Sequence, residues 1–391
     1  MPGNTPHNGE GLPPLPLPAG IDEDYVDCTS SCGLNFHVLK AGKPKDPLIL
    51  FCHGYPELAF SWRKIMPSIA AQGYYCVAMD QRGYGRTTGW TQKPFHEVDL
   101  NEYTITNLVR DLVCLVYGLG YTSVHTIIGH DFGGVSSAST ALMRPDMFKS
   151  TIQMSHPHHS PPTPPSPDKP TQPKLDIQAE LRKLYPPRKH YKWYNSTPSA
   201  ADHWDNPHQG LETYLRGYFH LKSATWSQNK PHPLTEWSAK ALEEMPEYYI
   251  MREKDTFPES IARNMEGEDV HASESWLSRE ALGVYVSEWQ RTGFQGALNW
   301  YRAQTASTPQ SAKDMFLFAG RRIEVPVAFI SGKQDWGNFQ QPGALESYED
   351  DTCVKSGCFR GSTLIDKAGH WVQQEQSGEV IDAITKFLKT L

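Results

Sequence analysis

The chain has 391 residues, too many for one small domain and enough for one large domain or a core carrying an insertion. Its net charge is −7 with both signs interspersed and no basic block, which argues against nucleic acid and anionic membrane surfaces as partners. No stretch approaches about eighteen consecutive apolar residues, so no membrane span is expected.

The opening MPGNTPHNGEGLPPLPLPAG lacks the charged and apolar regions of a secretory signal, so a cytoplasmic protein is the expectation. Seven cysteines in a chain this long do not make a disulfide framework. Cys52, Cys76 and Cys114 lie in apolar runs and read as small core residues. Cys28 with Cys32 and Cys353 with Cys358 are close in sequence, but a reducing compartment disfavours pairing and neither has zinc-type spacing. Nothing in the sequence decides for or against a homodimer.

The first twenty residues, rich in Pro and Gly, are expected to form an extended arm. Tyr25 to Ala41 suggests a hairpin, with alternation in LNFHVLKAG. Pro47 to Cys52 is a short, wholly apolar run, as expected of a central parallel strand, and Tyr75 to Met79 and Ser123 to Ile128 repeat it. Between them, Ile105, Leu108, Leu112, Leu115, Val116 and Leu119 mark an amphipathic helix over Thr104 to Leu119. A further strand, Thr151 to Met154, is followed by the Pro-rich His156 to Lys174, which cannot be regular helix or strand.

Leu175 to Ala303 is rich in Trp and Tyr, with helical stretches such as Ser278 to Gln290. Strands resume at Val325 to Ile330 and Ser362 to Ile365, and a closing helix runs over Val380 to Leu391. The expected fold is α/β, a doubly wound and mostly parallel sheet built from residues 1–155 and 305–391. An inserted, mainly helical cap with its Pro-rich entry loop takes residues 156–304.

Gly129-His130-Asp131-Phe132-Gly133-Gly134 follows a predicted strand and opens a predicted helix, the G-x-nucleophile-x-G elbow with aspartate in place of serine. A turn this tight forces unusual backbone angles, and glycine on either side removes side chains that would clash. The bland alternative is that Asp131 merely caps the helix. Triad partners should follow in the order acid, histidine. Asp335 lies just beyond one strand and His370 beyond the next, at the carboxyl ends where open α/β sheets bind ligands. Asp366 precedes the histidine too closely to be the acid, and Ser155-His156 offers no carboxylate after the Thr151 strand. The loop His53-Gly54-Tyr55-Pro56-Glu57 after the first central strand is placed to supply an oxyanion donor, so the backbone N–H groups of Tyr55 and Phe132 are the candidates.

His53-Gly54-Tyr55-Pro56, Asp80-Gln81-Arg82-Gly83-Tyr84-Gly85, the Gly129 to Gly134 elbow and Gly369-His370-Trp371 together resemble the epoxide hydrolases of the α/β-hydrolase fold. The resemblance covers the core, about Tyr25 to Met154 and Val325 to Leu391. It implies hydrolysis of a hydrophobic epoxide by water through an ester on Asp131, with His370 and Asp335 activating the water and no cofactor or metal. It also implies two cap tyrosines that donate to the epoxide oxygen. Asn299-Trp300-Tyr301-Arg302 resembles the second of these motifs, and Tyr218 is the candidate for the first, with Tyr214, Tyr248 and Tyr249 competing. His53, Pro56, Trp300, Trp336 and Trp371 flank the motifs and are expected to contact substrate. His156, His158 and His159 lie in a Pro-rich loop without a paired carboxylate and do not suggest a metal site. Two rivals stay open: a dehalogenase using the same aspartate, although Phe132 stands where those enzymes commonly carry Trp or Arg, and an idle hydrolase fold that serves as a binding protein.

Overall fold

The computed structural model describes residues 11–166, 175–305 and 309–391, and ten strands occur among them. They are β1 (Asp22–Cys28), β2 (Leu34–Ala41), β3 (Leu48–Cys52), β4 (Tyr75–Met79), β5 (Thr126–His130), β6 (Thr151–Met154), β7 (Arg188–His190), β8 (Ile250–Arg252), β9 (Val327–Gly332) and β10 (Phe359–Ile365). Eight form one sheet in the order β1-β2-β4-β3-β5-β6-β9-β10. The pairs β1–β2 and β2–β4 are antiparallel, and every pair from β4 onward is parallel.

The apolar run of β3 is buried along its whole length because both faces of the sheet are covered. Leu48 and Leu50 pack with Leu112, Leu115 and Val116 of the helix Ile105–Gly118. Ile49 and Phe51 share the opposite core with Val380, Ile384 and Phe387 of the helix Ser377–Leu388. The two-residue period of the strand thus sends alternate side chains to two helical layers, which is the doubly wound arrangement.

Boundaries shift where backbone pairing outlasts the apolar pattern. β5 begins later than its apolar run and continues through Gly129 and His130, which pair with Gln153 and Met154 of β6. β9 starts after Pro326, whose ring nitrogen has no hydrogen to give the ladder, and runs on to Gly332. The described parts of the N-terminal arm and of the His156 to Lys174 loop are almost free of regular structure, while residues 1–10 and 167–174 lie outside the described residues.

Between β6 and β9 the described chain is mainly helical, and it also holds β7 and β8, an antiparallel pair that the periodicity does not announce. Arg188-Lys189-His190 is too short and too polar to read as a strand. This region has an aromatic interior: Trp204 lies 5.0–5.2 Å, centroid to centroid, from Tyr214, Phe257 and Phe294. Indole N–H groups tie it to the core. Trp289 donates to the carbonyl of Pro56 (2.9 Å), Trp300 to that of Arg82 (2.8 Å), and Trp371 to that of Phe219 (2.8 Å). No helix among the described residues is long and apolar enough to cross a membrane.

Candidate active site

Asp131 stands between β5 and the helix Phe132–Met143 with φ 52° and ψ −116°, a backbone state costly for any residue but glycine. The surroundings enforce it. A Cβ on Gly129 would lie 1.9 Å from the carbonyl oxygen of Gly133, and one on Gly133 would lie 2.0 Å from that of Cys52. The Asp131 carboxylate does not cap the helix it precedes. Its Oδ1 instead accepts the N–H of Tyr55, in the loop after β3, at 3.0 Å. Gly54 allows this approach, since a Cβ there would sit 2.3 Å from that of Asp131.

The other carboxylate oxygen, Oδ2, lies 3.5 Å from His370 Nε2. His370 Nδ1 is 3.1 Å from both oxygens of Asp335, so that nitrogen carries the proton and Nε2 is left basic. Asp335 is itself held by the N–H of Gly337 (2.6 Å) and the hydroxyl of Ser331 (3.3 Å). Nε2 is buried and has no hydrogen-bond partner, which leaves it available to a water. Burial pushes the Asp131 carboxyl upward, but the close approach of His370, with Lys222 and His130, holds it well below the usual carboxylate range. The nucleophile is therefore ionised.

The backbone around His370 is fixed from both sides. Its N–H donates to the carbonyl of Lys222 (2.8 Å). Glu375 accepts the N–H groups of Gly369, Trp371 and Ala224 at 2.8–3.0 Å. The carbonyl of His370 accepts His130 Nε2 at 2.6 Å, and His130 Nδ1 meets Glu57 Oε2 at 2.7 Å. His130 thus faces two acceptors, so both ring nitrogens must be protonated. Burial disfavours that charge, but Glu57 outweighs it and raises the pKa. Glu57, Lys222 and Glu375 are supporting residues that sequence reasoning missed. His130 was only the x of G-x-nucleophile, and nothing in the pattern linked it to Glu57.

Tyr301, on the helix Gln295–Thr305, packs edge-on against Phe132 (4.7 Å) and Tyr55 (5.3 Å), directly over the nucleophile turn. Its neighbour is Tyr191 at 5.7 Å, not Tyr218. Tyr218 packs on Trp204, Phe257 and Trp371, and its hydroxyl oxygen accepts the ammonium of Lys222 at 3.4 Å, which leaves its proton free. The ring beside Tyr301 is thus that of Tyr191, which opens the short helix Tyr191–Tyr194 after β7 and whose hydroxyl donates to Gln340 at 3.4 Å, whereas Tyr218 was the expected partner. Tyr248 is spent on Asn229 (2.6 Å), and Tyr214 lies against Trp204. Burial raises the pKa of Tyr191 and Tyr301 well above the ordinary phenol value, so both are neutral donors. The only sequence signal for Tyr191 was its place in an aromatic run, HYKWY, at the start of the insertion.

Of the expected substrate contacts, His53 is corrected. Its Nδ1 bonds the carbonyl of Gly54 (2.9 Å) and its Nε2 accepts the N–H of Gln81 (3.1 Å), so it braces the loop and has no nitrogen left for a substrate. Pro56 and Trp300 join cap to core as described, although Trp300 also packs on Phe132 at 5.4 Å. Trp371 lies edge-on to His370 at 4.7 Å. Trp336, next to Asp335, packs on His232 and keeps a buried, unpartnered indole N–H. Among the described residues no group of three or more His, Cys, Asp or Glu could hold a metal ion, and all seven cysteines are unpaired.

Sheet order, elbow and the sequence Asp131, Asp335, His370 define a hydrolase built on a nucleophile elbow. The chain matches the alpha/beta hydrolase fold family over residues 47–376 and belongs to it. Within that family its relatives are epoxide hydrolases. It is 31% identical to epoxide hydrolase A of Mycobacterium tuberculosis over 92% of this chain and 95% of that one. It is 27% identical to an epoxide hydrolase of Caballeronia sordidicola, over 92% of each chain. Among solved structures, an epoxide hydrolase from an endophytic Streptomyces superimposes with a TM-score of 0.74 at 26% identity, covering 95% of this chain and 96% of that one. Potato epoxide hydrolase I does so with 0.69 at 28% identity, covering 95% and 100%.

Proposed function

We propose that the protein hydrolyses a hydrophobic epoxide to a vicinal diol, in two steps through an ester on Asp131. One observation carries the reading: an ionised carboxylate lies between the Tyr55 N–H and the free Nε2 of His370, with the rings of Tyr301 and Tyr191 above it. Asp131 Oδ2 attacks a ring carbon, and the C–O bond breaks as Tyr301 and Tyr191 donate to the departing oxygen. His370 Nε2 then takes a proton from water, which adds to the ester carbonyl. The resulting oxyanion forms at Oδ1, where the Tyr55 and Phe132 N–H groups receive it, each such donor being worth roughly 3 kcal/mol. Collapse releases the diol and restores the carboxylate.

Paired phenols favour this reading over displacement of halide, because a departing alkoxide needs proton donors and a halide does not. Residues 156–304 act as the cap that carries both phenols. The seven unpaired thiols support a reducing, cytoplasmic compartment.

The test is a single turnover with excess enzyme in heavy-oxygen water. Covalent attack should give mostly unlabelled diol and a labelled Asp131 peptide, with label reaching the diol only in later turnovers. Label in the first diol, with Asp131 unlabelled, would mean direct attack by water and would sink the nucleophile role.

A further inference from the structure

Lys222 follows the cap helix Leu211–Leu221 and is buried, 4% exposed, beside the catalytic groups. An ammonium taken out of water normally gains a carboxylate partner. No carboxylate oxygen lies within ion-pair distance of Lys222 among the described residues. Its Nζ instead sits 5.2–5.4 Å from the ring centres of Trp371, Tyr249 and Tyr218, and it donates to the hydroxyl of Tyr218 at 3.4 Å. Aromatic faces stabilise a desolvated cation and leave its charge less neutralised than a carboxylate would. The backbone is pinned too, since the Lys222 carbonyl accepts the N–H of His370. A Cβ on Gly369 would come within 2.5 Å of that same oxygen, which accounts for the glycine before the catalytic histidine.

We propose that Lys222 is a positioning residue for the ring-opening step, acting through Tyr218 as a positive charge on the cap side of Asp131. This rests on the epoxide reading above. In that step negative charge leaves Asp131 and develops on an oxygen facing the cap phenols. Lys222 makes no ion pair with Asp131 and touches the hydroxyl of Tyr218, so its charge reaches the developing oxyanion through that phenol. Interactions stronger in the transition state than in the ground state are the ones that accelerate a step. By donating to the Tyr218 oxygen, Lys222 also leaves the phenol proton of Tyr218 free to point into the site. Burial works against the ammonium, and the charges of Asp131, Asp335 and Glu57 work for it.

The test uses the His370→Gln enzyme, in which the ester accumulates, and follows its formation by quenched intact mass in single turnovers of styrene oxide. Lys222→Met keeps the length and apolar stem of the side chain. It should slow ester formation about tenfold to a hundredfold at saturating substrate while leaving the half-saturating concentration within about threefold, by analogy with loss of one positioned donor. Lys222→Arg should recover part of the rate. Tyr218→Phe should slow the step comparably, and the double variant should be no slower than the worse single one, because the two act as a unit. Ester formation within twofold of the parent in Lys222→Met would overturn the inference, and so would losses that multiply in the double variant. If the parent enzyme forms no ester at all, the epoxide reading falls and takes this inference with it. A parent that forms ester and a Lys222→Met variant that matches it remove only Lys222.

Discussion

Replacing Glu57 by glutamine tests the charged support behind the triad. Glu57 is fully buried, accepts His130 Nδ1 at 2.7 Å, and receives the amides of Gln373 and Gln374 at 2.7–3.0 Å. His130 faces the carboxylate on one side and the carbonyl of His370 on the other, so it is an imidazolium. With Glu57→Gln the imidazolium either stays charged without a counterion or loses the proton that faces one of its two acceptors. The new amide also presents N–H groups where two glutamine side chains already donate. Breaking a buried pair by removing one partner costs about 3–5 kcal/mol. At an m-value of roughly 3 kcal/mol per M, that lowers the urea midpoint by about 1 M or more. His130 holds the carbonyl of His370, so a shift of its ring should slow hydrolysis of the ester more than its formation. The measurements are urea unfolding by fluorescence and the steady-state fraction of alkylated enzyme. Glu57→Gln combined with His130→Gln should recover part of the stability, because no uncompensated charge remains. A midpoint within about 0.2 M of the parent, with unchanged ester hydrolysis, would refute the ionic reading of the pair.

Tyr301→Phe and Tyr191→Phe should each lower the ring-opening rate on the order of tenfold to a thousandfold without loss of fold, read by single-turnover ester formation and melting temperature. An unchanged rate in either variant would assign that ring to packing alone. Away from the site, His37 is buried between Asp80 (2.7 Å) and Glu23 (2.9 Å). Burial lowers its pKa, but the two carboxylates more than reverse this and push it up to about 9. A raised folded-state pKa stabilises below the unfolded value of about 6.5 and is lost as pH rises through about 9. The difference in melting temperature between parent and His37→Asn should therefore shrink from pH 6 to pH 10, and a constant difference would show that His37 is not charged in the fold.

Asp131, Asp335 and His370 were legible because each follows an apolar run that can only be a buried strand, and because the glycines around Asp131 have one steric reason to be there. The Tyr55 N–H followed from its place after β3 for the same reason. Side-chain direction was not legible in the same loop. His53 neighbours the oxyanion donor in sequence, yet its ring turns away to Tyr84, 4.7 Å distant, and both nitrogens bond backbone. The cap hid most. Its core is rich in aromatic rings among aliphatic side chains, so composition does not separate a phenol that faces the nucleophile from one that packs. Tyr191 opens a four-residue helix just after a three-residue polar strand, with no hydrophobic period around it, whereas Tyr218 lies on a strongly periodic helix and drew the choice. The pairing of Glu57 with His130 joins residues 73 positions apart, and only the folded chain brings them together.

Charge is arranged unevenly across the site, and the asymmetry matches the direction of the proposed reaction. The core side holds the ionised Asp131 and Asp335, with the protonated His130 behind them. The cap side offers neutral phenols and the aromatic-boxed Lys222. Opening a ring moves negative charge from the core to the cap, and hydrolysing the ester returns it to Oδ1. The first movement needs the cap phenols in place. The second needs His370, whose N–H is held by the carbonyl of Lys222, a residue of the cap. Both steps therefore depend on the same cap position, and indoles at 289, 300 and 371 fix that position by bonding carbonyls across the seam. A substitution that loosens the seam should slow both steps together, unlike the loss of a single phenol, which acts on the first alone.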